Sequence, residues 1–153
     1  MKAWKIIVAG IIIAIISQII HTIEAYATMD FYVDPNLCDF DPTTGEIGVC
    51  VWSKIMMPTA GPPPTEFYYY SIVFAIITGI IYALVYAMIK KSIPGKIPKK
   101  GLYFGFLLFL LGIPHFLSMY LLINLPSLLI VYWVIFGLIV NLINGVIIAY
   151  IVK

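Results

Sequence analysis

Four stretches of this chain, at 6–25, 67–89, 102–123 and 128–152, contain no Lys or Arg, and Glu24 is their one acid. Each is long enough for a helix of about 20 residues to cross about 30 Å of hydrocarbon. Such helices are apolar nearly all round, so length rather than periodicity identifies them. The composition agrees: 63% of the 153 residues are hydrophobic and 10% are charged, against about 45–50% and about 25% in soluble domains. The mean hydropathy is +1.06. These values exclude a soluble domain, a disordered chain and a nucleic-acid binder. Alternating segments of about 10 residues, which mark a membrane β-barrel, are absent. The expected fold class is an all-α integral membrane protein, a four-transmembrane-helix bundle forming one domain over 1–153. Its long outer loop is 26–66 and its inner loop is 90–101.

Charge placement gives the orientation. Lys2, Lys5, Lys90, Lys91, Lys96, Lys99, Lys100 and Lys153 fall on one side of the spans. All seven acids lie between Glu24 and Glu66, where Lys54 is the single base, so that segment carries 1 − 7 = −6. The positive-inside rule then predicts cytoplasmic N- and C-termini in a multi-pass protein of the cell membrane. Tryptophans and tyrosines such as Trp4, Tyr103, Tyr68 and Tyr132 cluster near the span ends, as interfacial belts do. Lys2, Lys5, the apolar run and Ala25-Tyr26-Ala27 also resemble a cleaved signal sequence; the length of the run favours a retained span.

A connection of about 40 residues is too long to be inert in a compact domain. Cys38 and Cys50 are the only cysteines, and both fall in the outer loop. An even count outside the reducing cytosol reads as a disulfide. Asp41-Pro42-Thr43-Thr44-Gly45 carries a turn signal, and the β-branched run from Glu46 to Trp52 suits a strand. The expectation is a small disulfide-pinned extracytoplasmic hairpin between the first two spans.

Small residues let helices approach closely in lipid. Ala75, Gly79, Ala83 and Ala87 recur at four-residue spacing in the second span; Gly137, Asn141, Gly145 and Ala149 do so in the fourth. These are packing faces, for the same chain or for a second subunit. Polar side chains inside hydrocarbon are costly and face the bundle interior. His21 and Glu24 stand at i, i+3 and share a helix face with Gln18 one turn away. His115 follows Pro114 in the third span.

A short internal repeat relates the halves of the chain. Lys5 to Gly10 matches Lys100 to Gly105 in spacing. Ile77-Thr78-Gly79-Ile80-Ile81-x-Ala83 matches Ile143-Asn144-Gly145-Val146-Ile147-x-Ala149. A parallel duplication about the membrane normal would set His21 and His115 at similar depth.

Three functions follow as expectations. The first is a scaffold or accessory subunit that works through helix packing and its outer loop, as a homo-oligomer or within a larger membrane complex in the lipid bilayer. The second is a haem b or metal-binding redox subunit using His21 and His115, with Glu24 as a further metal ligand. The third is a small cation channel or transporter built on the polar face Gln18, His21 and Glu24 and on Asn141 and Asn144, with an acidic outer vestibule. Catalytic signatures such as H-E-x-x-H, G-x-S-x-G and the Walker loop are missing, which makes an enzyme the weaker reading.

The run Lys100-Gly101-Leu102-Tyr103-Phe104-Gly105-Phe106-Leu107-Leu108-Phe109-Leu110-Leu111 is followed by Pro114, Asn124-Leu125-Pro126-Ser127-Leu128 and Asn144-Gly145-Val146-Ile147-Ile148-Ala149. In these features the last third of the chain resembles a loose family of small uncharacterised archaeal four-helix membrane proteins. The resemblance implies four spans and no particular activity, so no functional residue carries over.

Overall fold

The computed structural model of the chain describes residues 3–28, 38–40, 47–50, 65–122 and 127–153. They form helices α1 (Ala3–Ala27), α2 (Thr65–Ile89), α3 (Ile97–Leu122) and α4 (Ser127–Ile151), with strands β1 (Cys38–Phe40) and β2 (Ile47–Cys50) between α1 and α2. All four helices are long and apolar enough to cross a membrane. The chain is a small multi-pass membrane protein.

The helices outrun the apolar stretches at some ends, because backbone hydrogen bonding continues after the apolar run stops. Thus α3 begins at Ile97, not at 102. Pro98 is tolerated there, since an amide in the first turn has no helical acceptor. After α2, Ser92 N–H donates to the Ile89 carbonyl over 2.9 Å. Gly95 takes φ +99°, a left-handed conformation that glycine adopts without strain, and turns the chain into α3. Pro114 lies inside α3, which continues through it to Leu122.

The helices form two hairpins, α1 on α2 and α3 on α4, joined through α1 and α4. Glycines set both hairpin contacts. A methyl on Gly10 would lie 2.6 Å from Ile80 Cγ1 and 2.8 Å from Ile80 N, and one on Gly79 would strike the Gly10 backbone. In the second hairpin, a methyl on Gly145 would lie 2.6 Å from Gly105 N, and one on Gly105 would lie 2.8 Å from Leu142 Cα. The repeat aligns Gly10 with Gly105 and Gly79 with Gly145, so aligned glycines make the matching contact in each hairpin. Ala83 and Ala149, also aligned, are both fully buried.

The core sits at the end of the bundle that carries the termini. Ile6, Ala9, Ile13, Ala83, Ile148 and Val152 pack there. Tyr86 of α2 meets Phe104 of α3 edge-on, ring centroids 5.2 Å apart, so all four helices close together. Towards the other end they separate and leave cavities. The two strands pair antiparallel with Cys38 opposite Cys50. The turn at 41–46, the stretch 51–64 and the side chains of both strands lie outside the described residues, and with them the expected disulfide and the run Gly61 to Pro64.

Candidate functional site: a polar cleft between the hairpins

Two cavities open where the helices separate. The deeper one, about 320 Å³, is lined by Ser17, Gln18, Thr78, Tyr82, Asn141 and Asn144 among apolar neighbours. The second, about 380 Å³, lies nearer the close of α1 and is lined by His21, Glu24, His115, Phe116, Met119 and Trp133. His21, Phe116 and Gly137 line both, so the two form one cleft.

Its floor is built by the two central helices. Asn144 is 3% exposed. Its Nδ2 donates to Ser17 Oγ over 2.8 Å, while its Oδ1 meets no donor among the described residues. Exchanging the two ends of the amide leaves the other end unpaired, so the imbalance does not depend on that assignment. A buried, unmatched amide atom costs about 1–3 kcal/mol; a donor or cation entering the cleft offsets an unmatched Oδ1, the orientation shown, whereas an unmatched Nδ2 would need an acceptor. Beside it, Ser71 of α2 donates to Gln18 Oε1 over 3.3 Å. Asn141 turns its Nδ2 to the Gly137 carbonyl of its own helix, at 2.8 Å.

The mouth carries the ionisable groups. His21 Nδ1 lies 2.7 Å from Glu24 Oε2. The Glu24 side chain is 10% exposed and that of His21 54%. The helical i, i+3 spacing makes this contact local and leaves Nε2 as the imidazole's other hydrogen-bonding end. Thr28 caps the end of α1: its hydroxyl donates to the Glu24 carbonyl over 2.8 Å. His115 is exposed on the cleft wall with its ring tilted against Phe116, centroids 6.3 Å apart. The Pro114 carbonyl accepts from Ser118 Oγ over 2.9 Å. Among the described residues no three His, Cys, Asp or Glu side chains converge as metal ligands. The expected set of His21, Glu24 and His115 therefore shares a cavity without forming a three-ligand cluster.

The packing residues divide between two jobs. Gly79, Ala83, Gly145 and Ala149 are buried inside the chain's own hairpins, and Ala87 packs against their core. Ala75 instead lines the deep cavity. Gly137 makes room for an aromatic ring rather than a backbone: a methyl there would lie 3.1 Å from Phe116 Cζ. Tyr82 and Phe116 were not singled out by the sequence, because both read as apolar filler in an apolar run. The cleft floor had two signals in the sequence: Ser17, Thr78, Asn141 and Asn144 are polar residues within apolar spans, and the repeat aligns Thr78 with Asn144 as the polar residue beside each packing glycine. No protein-family model, curated protein or solved structure matches the chain.

Proposed function

We propose that this protein is a small channel or transporter whose cleft admits a small cation from the side of the strands. The observation that carries this reading is the buried Asn144 amide at the cleft floor, which has one polar atom without a partner. Carbonyl and hydroxyl oxygens at the floor suit a cation stripped of some of its water. Glu24, the one acid in the spans, lines the mouth, and the net negative charge of the segment from Glu24 to Glu66 favours cations on that side of the membrane. The reading includes cytoplasmic termini and a Cys38–Cys50 disulfide that pins the two strands together.

The test is flux of protons, sodium and potassium into liposomes that hold the purified protein. Flux of one of these cations that falls at least about tenfold in Asn144→Leu supports the reading. No flux of any of the three, with Glu24→Gln and Asn144→Leu indistinguishable from the wild type, overturns it.

A redox subunit is the second reading, favoured by one observation: His21 and His115 line the same cavity. A carboxylate that orients one imidazole nitrogen is what a metal-ligating histidine commonly has. An optical spectrum of the detergent-purified protein, oxidised and then reduced, decides it. A Soret band that vanishes in His115→Ala supports haem b; a blank spectrum and no bound metal remove both. The scaffold reading draws less from this geometry, because Gly79 and Gly145 are occupied within the chain.

A further inference from the structure

At the end of the bundle opposite the cleft, the close of α2, the turn after it, the start of α3 and the close of α4 surround a separate cavity of about 310 Å³. Lys90, Lys91, Lys96, Lys100 and Lys153 all line it. Two of these have structural work. Lys90 Nζ donates to the Val152 carbonyl over 2.7 Å, and Lys100 Nζ donates to the Lys90 carbonyl over 2.8 Å. These bonds satisfy carbonyls at helix ends, where a cation is favourable. They also hold two ammonium groups at the cavity wall, and each keeps two further N–H groups to donate.

Helix capping accounts for Lys90 and Lys100 but not for the other three. Lys91, Lys96 and Lys153 are exposed, and among the described residues no hydrogen bond or ion pair engages their ammonium groups. No acidic side chain in the sequence falls nearer than Glu66 on one side, and none follows it. Five like charges around one cavity repel one another, and an anion seated among them relieves that repulsion. The turn at Gly95 helps assemble the group. Its left-handed conformation packs it against the Lys99 side chain, where a methyl would lie 3.0 Å from Cδ. Lys99 itself is turned away, with Nζ 5.6 Å from the Tyr103 ring centroid.

We propose that this lysine-lined cavity binds a phosphate group. Lysine offers a compact, strongly donating cation suited to phosphate oxygens. At a membrane surface, the phosphate comes from an anionic lipid headgroup or from a soluble phosphate in the adjoining aqueous phase. Neither source depends on the cleft or on what passes through it.

The experiment uses the full chain in detergent micelles at constant ionic strength. Thermal unfolding is followed with added phosphatidylglycerol, phosphatidylcholine, inorganic phosphate or pyrophosphate. Stabilisation by phosphatidylglycerol alone assigns the lipid source, and stabilisation by phosphate or pyrophosphate as well assigns a soluble one. Either supports the site. The pair Lys91→Gln with Lys96→Gln is expected to weaken the effect about tenfold. Lys5→Gln removes a lysine charge that does not line the cavity and is expected to leave the effect unchanged, whereas Lys91→Gln or Lys96→Gln alone weakens it. Equal loss in Lys5→Gln and in either of those single variants means general surface attraction and overturns the proposal. Lack of wild-type stabilisation by any phosphate-bearing additive overturns it without recourse to a variant.

Discussion

Asn144 of α4 donates its side-chain amide to Ser17 Oγ of α1 over 2.8 Å, joining residues 127 positions apart at the cleft floor. The bond links the two central helices, one from each hairpin. It lies where the hairpins begin to separate, beside Gly145, whose backbone contact closes the second hairpin. One turn of α4 thus carries both a packing residue and the polar floor of the cleft.

The cost of breaking this bond follows from its burial. Ser17→Ala leaves both ends of the Asn144 amide without a partner and is expected to destabilise the protein by about 1 kcal/mol, in the range of interhelical bonds within membranes. Adding Asn144→Leu removes the stranded amide and is expected to recover that loss. Denaturation of the single and double variants in mixed micelles measures the difference. A double variant less stable than Ser17→Ala would mean that the amide is satisfied in some other way.

Glycines that look alike in sequence should respond differently to a methyl group. Gly145→Ala puts a Cβ 2.6 Å from Gly105 N, a backbone atom unable to move aside, and is expected to cost about 2 kcal/mol or more. Gly10→Ala should behave in the same way in the first hairpin. Gly112→Ala meets only Phe116 Cε2, at 3.9 Å, and should be neutral or stabilising by up to about 1 kcal/mol. Thermal unfolding in detergent ranks the three, and equal effects would contradict the hairpin packing.

The spans were legible because hydrocarbon thickness demands long apolar runs, and nothing else in the chain resembles them. The partners of the packing stripes were not. Gly79 and Gly145 mark faces that permit close approach, but a stripe carries no information about which helix arrives. Polar residues were easy to find in so apolar a background, and Ser17, Gln18, His21 and Asn144 all line the cleft. Their grouping was only partly visible. His21 and Glu24 are neighbours by helical spacing, whereas Ser17 and Asn144 meet through tertiary packing alone. His115 shares a cavity with His21 because α1 and α3 both pack on α4, with Phe116 on the cavity wall, an aromatic that no pattern distinguishes from its apolar surroundings.

The His21–Glu24 contact is open to a double-mutant cycle. His21→Ala leaves a carboxylate that is 10% exposed without its 2.7 Å partner, and Glu24→Ala leaves a more accessible imidazole. The carboxylate side is expected to be the costlier to strand, since desolvation penalises an unpaired charge. Removing both should cost less than the sum of the single changes, with a coupling of about 1 kcal/mol or less because His21 is half exposed. Unfolding free energies of the four proteins give the coupling, and strict additivity would show that the contact contributes nothing.

The strand register leads to the last prediction. Cys38 stands directly opposite Cys50 in an antiparallel pair. Facing residues in such a pair have Cα atoms about 4.5–5.5 Å apart, within the span of about 4.4–6.8 Å that a disulfide bridges. If the strands lie outside the cell, where thiols oxidise, the two cysteines join and close a short loop, contributing about 3 kcal/mol on the chain-entropy model. A membrane-impermeant maleimide tests bond and orientation together. In intact cells it should label neither cysteine before reduction and both after an impermeant reductant. A probe introduced as Ser92→Cys, in the turn after α2, should remain unlabelled until the membrane is permeabilised. Labelling of Cys38 or Cys50 without reduction would exclude the disulfide. Labelling at position 92 in intact cells would reverse the orientation, and with it the side from which a cation reaches Glu24.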